Sequence, residues 1–153
     1  MDERVFRNAM GKFATGVTVI TTEQNGEIHG MTANAFMSVS LNPKLILISI
    51  DQRAKMLNKI NEAGTFAVNI LAEDQKELSM QFAGQLKEKK EAEFDYMSGI
   101  PVIKGALANI VCKIYRKHAA GDHTIFLGEV VDIELREGAP LGFYEGKYSK
   151  IVS

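Results

Sequence analysis

The run "KLILISI" at residues 44–50, bounded by Pro43 and Asp51, carries an aliphatic side chain at nearly every position and lacks the alternation of a strand with one wet face. It reads as a strand buried on both faces, near the centre of a sheet, and so obliges the rest of the chain to supply strands on either side. "GVTVITT" at residues 16–22 is one. Asn25 and Gly26 then form the dipeptide that tolerates positive φ in a tight hairpin, and "IHGMTANAFMSVSL" at residues 28–41 follows as the return strand. "FAVNIL" is a further strand. "ALANIVCKIYRKH" alternates, with Ala108, Ile110, Cys112 and Ile114 on one face and Asn109 and Lys113 on the other. In "AAGDHTIFLGEVVDIEL", Ile125, Leu127, Val131, Ile133 and Leu135 share one parity, which assigns them to the core side. His123 shares that parity at the strand's mouth, where a barrel or sheet opens to solvent or ligand. "LGFYEGKYSKIV" ends the series.

Helical spacing is confined to three short stretches. Val5, Phe6, Ala9, Met10 and Phe13 follow Asp2, an expected N-cap, and this helix ends near Gly11 or Gly16. Met56, Leu57 and Ile60 form a stripe within residues 53–61 that stops at Gly64, and Leu78 and Phe82 fall one turn apart in residues 73–82 before Gly84. Residues 85–98, with five Lys or Glu between Lys87 and Glu91, read as a solvated loop. Many strands and few helices predict a mainly β fold with peripheral helices, closed as a barrel. A chain of 153 residues without internal repeats or low-complexity segments fits one domain over 1–153, able to bury roughly 70% of its unfolded surface.

A formal charge of −1 leaves none of the basic excess that a phosphate backbone demands, so no nucleic-acid partner is expected. The charged N-terminus "MDERVFRNAMGKF" is unlike a secretory signal, and no run approaches the ~18 apolar residues of a membrane span, so a cytoplasmic protein off the membrane is expected. Cys112 alone cannot form an intrachain disulfide or a multi-cysteine zinc site.

The sequence lacks G-x-G-x-x-G and G-x-x-x-x-G-K-[ST], and its histidines, His29, His118 and His123, form no H-E-x-x-H pair, so no metal is expected. Three stretches remain. Thr32, Asn34, Ser38 and Ser40 put small polar side chains on one parity of a strand, either lining a ligand or facing solvent from an edge hairpin. Residues 49–55, "SIDQRAK", run a strand end into a helix start, where free N–H groups, Arg53 and Lys55 favour an anion, unless Asp51 is an N-cap beside solvated cations. "QFAG" at residues 81–84 is a helix end with either a ligand contact or a plain C-cap.

"MTANAFMSVSLNP", "FAVNIL", "QFAG", "GDHTIFLGEV" and the C-terminal "GKY", in that order over nearly the whole chain, resemble the flavin reductase family with its FMN-binding split β-barrel, Greek-key-like fold. The likeness is to the short NADH:flavin reductase components of two-component aromatic monooxygenases. It implies an NADH-dependent reductase that supplies reduced FAD or FMN to a partner oxygenase, probable neither as a nucleic-acid nor a membrane protein, and a homodimer. It implies that Thr32, Ala33, Asn34, Ser38 and Ser40 line the flavin, that Ser49, Ile50, Asp51 and Lys55 hold its phosphate side, and that Phe82, Ala83 and Gly84 close the site. Gly121, Asp122, His123 and Tyr148 are implied to hold the NADH, with His123 the candidate for a catalytic role. The phosphate loop departs from many relatives in carrying Arg53, Ala54 and Lys55 rather than Ser or Thr. A flavin-binding storage or sensor module without turnover is the alternative on the same fold.

Overall fold

The computed structural model describes residues 1–86 and 91–152. Helix α1 (Glu3–Gly11) begins where the Asp2 carboxylate accepts the Arg4 N–H at 2.8 Å. Strands β1 (Thr15–Gly16), β2 (Thr18–Gln24), β3 (Glu27–Ala33), β4 (Phe36–Leu41) and β5 (Lys44–Asp51) follow. Next come α2 (Lys55–Ala63), β6 (Thr65–Ile70), a short 3-10 turn and α3 (Lys76–Phe82). The chain ends with β7 (Phe94–Met97), β8 (Ile100–Ile103), β9 (Ala108–Ala120), β10 (His123–Leu135), β11 (Leu141–Tyr144) and β12 (Lys147–Lys150). No described helix is long and apolar enough to cross a membrane.

The main sheet is antiparallel throughout, in the order β3-β2-β6-β9-β10-β5-β4, with smaller sheets β1-β11-β12 and β7-β8. Its two edge strands, β3 and β4, are consecutive in the chain and joined only by Asn34 and Ala35. Three peptide units reach no further than roughly 11 Å, so the sheet must curl until its edges meet at one end. Ala35 holds that junction by accepting the Ser49 N–H at 3.2 Å. This is a barrel split along one side, mainly β with helices at its periphery, as expected.

Local signals were realised where expected. Asn25 and Gly26 take φ of 54° and 76° in the β2–β3 hairpin, and Gly64 ends α2 at φ 73°. Met56 and Ile60 are buried by α2 against Ile20, Ile48, Phe66 and Phe126 inside the barrel. A second cluster of Val17, Val19, Leu71, Ile103 and Leu141 packs under α3 and β11, and a third joins Ala67, Val111, Ile100 and Val102.

Several expectations are corrected. The return strand is two strands, because the chain leaves β3 at Asn34 and pairs again with β5 from Phe36, with a register shift between Ser38 and Ser40. β5 is next to the edge rather than central, and its outer side carries the half-buried Leu47 and Ser49. The strands covered on both sides are β2 and β6, and β9 is central. In β10 the core side is Phe126 and Gly128, whereas Val131, Ile133 and Leu135 are 44%, 48% and 77% exposed. Parity misled because the outer side of β10 is the more aliphatic one, while Gly128 is required inside. A Cβ there would come within 2.7 Å of the Phe66 ring and 2.9 Å of Cys112 Cβ.

Asn109 is buried rather than solvent-facing. Its amide donates to Asn69 Oδ1 at 2.8 Å and to the Ile103 carbonyl at 3.1 Å, and Asn69 in turn donates to Val19 O and Thr21 Oγ1. These bonds satisfy polar groups that burial would otherwise penalise, and they lock β8 across β6 and β9. Part of the expected charged loop is strand β7, paired with β8, while residues 87–90 lie outside the described residues.

Candidate functional site

A cleft of about 550 Å³ opens between β3, α2 and α3. β3 contributes Ile28, His29, Gly30 and Met31, α2 contributes Lys55, Met56 and Lys59, and the end of α3 contributes Gln81, Phe82, Ala83 and Gly84. The wall is close-built where the Phe82 ring lies on Gly30, since a Cβ at residue 30 would stand 2.7 Å from two ring carbons. The bordering side chains include two lysines and one histidine and no carboxylate. Helix α2 adds to this, because its N-cap is Ala54, which offers no side-chain acceptor to the first-turn N–H groups.

Asp51 does not cap that helix. Its carboxylate accepts the Arg53 N–H at 2.8 Å and pairs with the Arg53 guanidinium at 3.0 and 3.2 Å. The side-chain and backbone bonds from Arg53 hold the Asp51 carboxyl down at about 2. Arg53 is thus neutralised within its own turn, and Lys55 is the cation of this loop that enters the cleft.

His29 was not singled out by sequence. Its Nε2 is buried without a hydrogen-bond partner, and the Glu27 carboxylate stands 3.9 Å away, beyond hydrogen-bond reach. Lys59 was missed as well, although it follows Lys55 by one helical turn. It donates to Gln24 Oε1 at 3.3 Å, and the Gln24 amide bonds to Glu62.

The expected flavin residues divide among three places. Lys55, Phe82, Ala83 and Gly84 border the cleft. Thr32, Ala33 and Asn34 continue from its β3 wall to the barrel seam, where Ser49, Ile50 and Asp51 end β5. The Thr32 hydroxyl donates to the Ser79 carbonyl at 2.6 Å, and Ile50 is buried in the core, so only its backbone is open to a ligand. Ser38 and Ser40 lie on the edge strand β4 opposite Ile46 and Leu45 and do not border the cleft.

Gly121, Asp122 and His123 form the tip of the β9–β10 hairpin. His123 pairs with Asp51 across the β5–β10 ladder, Gln52 N–H donates to Asp122 O at 2.9 Å, and Gln52 Nε2 reaches His123 O at 3.4 Å. His123 Nδ1 lies 2.8 Å from Asp122 Oδ1. A carboxylate only accepts, so Nδ1 carries the proton and Nε2 is left as the ring's free nitrogen. Tyr148 stands elsewhere. Its hydroxyl is 2.7 Å from Ser79 Oγ, its ring packs edge-on to Phe143, and the Lys76 ammonium lies 5.4 Å above it. It joins α3, one turn before Phe82, rather than the hairpin tip.

Three comparisons bear on this arrangement. The model of the flavin reductase like domain matches residues 10–152. An NADH-dependent flavin reductase of a Rhodococcus species is 46% identical over 148 residues, covering 95% of this chain and 84% of that protein. The reductase component of the 4-hydroxyphenylacetate 3-monooxygenase of Thermus thermophilus is 39% identical over 151 residues, covering 98% and 97%. Among solved structures, the flavin reductase PheA2 in its native state superposes with a TM-score of 0.99 at 61% identity, over 100% of both chains.

Proposed function

The chain belongs to the flavin reductase like domain family, and from that premise we propose that it is an NADH:flavin oxidoreductase delivering reduced FAD or FMN to an oxygenase component. The observation that carries this reading is the adjacency of two sites. The acid-free cleft of Lys55 and Phe82 to Gly84 leads along Ser49 to Asp51 to the ladder that holds His123.

A bound flavin supplies the hydride acceptor, and the dihydronicotinamide gives up two electrons and one proton to it. The protein's share is positioning. Lys55 and the uncapped start of α2 hold negative charge at one end. Thr32 to Asn34 and the end of β5 offer backbone and small polar groups at the seam, and the Phe82 ring forms an apolar wall. His123 presents Nε2 to the nicotinamide nucleotide from a hairpin tip anchored by Gln52. No residue need act as a strong acid or base for a hydride to pass between two stacked rings. Anaerobic mixing of the protein with flavin and NADH tests the reading: flavin bleaching and NADH loss in equal amounts are expected, and tight flavin binding without NADH loss would make it a storage or sensor module.

The same reading includes a homodimer, with reduced flavin passing to the oxygenase by diffusion. The outer sheet face supports the dimer, since Met37, Val39, Val131, Ile133 and Leu135 are exposed together with Val5, Phe6 and Met10 of α1. Sedimentation at micromolar concentration checks it. One domain is supported by clusters that share strands, with Ile20 and Val19 of β2 in two different cores. A cytoplasmic setting agrees with a buried, unpaired Cys112.

A further inference from the structure

Lys55 sits at the first position of α2, beside the end of the loop that leaves β5. Lys59 lies one turn further along the same helix face, its Cβ about 5–6 Å from that of Lys55. Across the cleft His29 brings a buried ring nitrogen that has no partner within the described residues. Neither lysine has an ion pair among the described residues, and the amide of Gln24 separates Lys59 from Glu62. Three nitrogen donors therefore converge on one cleft whose border holds no carboxylate. One phosphoryl group at Lys55 and the α2 N-terminus leaves Lys59 and His29 unmatched. The cleft, at about 550 Å³, extends past that point into the space under Ala83 and Gly84.

We propose that Lys59 and His29 form a second phosphoryl site, which makes the cleft selective for a dinucleotide flavin over a mononucleotide one. This rests on the flavin reductase reading above and deepens it by naming the substrate class. Lys55 meets the phosphate shared by both flavins, and Lys59 with His29 meets the phosphate that only the dinucleotide carries. The His29 ring gains the partner its Nε2 lacks, and as a donor to phosphate it completes a charge-assisted pair. Phe82, held against Gly30, keeps the cleft from closing over the cations.

Equilibrium titration of the full chain with FAD, FMN and ADP, read by flavin fluorescence, tests this. The wild-type protein is expected to bind FAD at least tenfold more tightly than FMN, with ADP displacing FAD. Lys59→Met should weaken FAD at least tenfold and shift FMN less than twofold, His29→Gln should act in the same direction, and Lys59→Arg should keep the preference. Melting curves on the same samples show that each variant is folded. Equal loss of both flavins would overturn the proposal, as would a raised KM for NADH with unchanged flavin affinities, which would assign the cations to the pyridine nucleotide. A protein that keeps its FAD preference but consumes no NADH supports this site and overturns the reductase reading instead. Binding of neither flavin overturns both.

Discussion

His123 stands directly opposite Asp51 in the antiparallel ladder between β10 and β5. The strand end that leads to the phosphate loop and the hairpin tip assigned to NADH are therefore one rigid unit, stitched further by the bonds of Gln52 to Asp122 and His123. Substitutions on either side of this pair should separate the two ligands.

His123→Ala is expected to raise the KM for NADH while flavin affinity and melting temperature barely move. The ring is 40% exposed and bonds only to its neighbour Asp122, so its loss uncovers no core. Steady-state kinetics at saturating flavin, beside a melting curve, check this. A destabilised protein with unchanged NADH dependence would refute the role.

Asp51→Asn should remove a defined part of the acid dependence. The carboxyl lies near 2 in the folded chain against an ordinary 3.8, so its contribution to stability is present above about 3.8 and is lost as pH falls through about 2. Melting temperatures of wild type and variant should differ by a constant amount from pH 5 to 8 and converge below the carboxylate range. A gap that persists at pH 2 would mean that the Arg53 clamp is not its source.

Tyr148→Phe removes the bond to Ser79 and should cost about 0.5–1.5 kcal/mol of stability, the usual net worth of such a bond. Because Ser79 also receives the Thr32 hydroxyl on its carbonyl, loosening it should weaken flavin binding through α3. The KM for NADH at saturating flavin should stay as it was. A selective NADH defect would return Tyr148 to the nucleotide rim.

Gly30→Ala places a methyl group about where the Phe82 ring now lies, at 2.7 Å from its carbons. The ring must turn into the cleft, and flavin affinity should fall. Overpacking of this kind costs about 1–3 kcal/mol, measurable by denaturant unfolding. Gly30→Ala with Phe82→Leu should recover much of the stability.

Cys112 should be inert to thiol reagents at pH 8 until the chain unfolds. Burial pushes its thiol from 9.0 up to about 12. The raised value favours the folded state fully below about 9, and that contribution disappears as pH climbs towards 12. Fast labelling of the native protein would contradict this.

What sequence made legible was local. The Asn25-Gly26 turn, the Asp2 cap and the stop at Gly64 each follow from neighbours a few residues away. Closure of the barrel at Asn34 and Ala35 does not, because alternation in residues 28–41 continues across a break set by β5. Asn109 looked solvent-facing because its partner Asn69 lies 40 positions earlier. In the site, Lys55, Phe82, Ala83 and Gly84 could be gathered by resemblance, and the spacing from Lys55 pointed to Lys59. His29 was hidden, since a lone histidine on a strand shows nothing until α2 is laid beside it.

The join at Asn34 and Ala35 leaves β3 and β4 with unpaired backbone along their free sides. Thermal breathing of the barrel should begin along that slit, and amide protons of β3 and β4 should exchange with solvent sooner than those of β6 and β9. A ligand seated across it clasps two strand edges that the polypeptide ties at only one end. The protection it confers on those amides should fade as the ligand departs, so the product is let go from the part of the barrel that yields first.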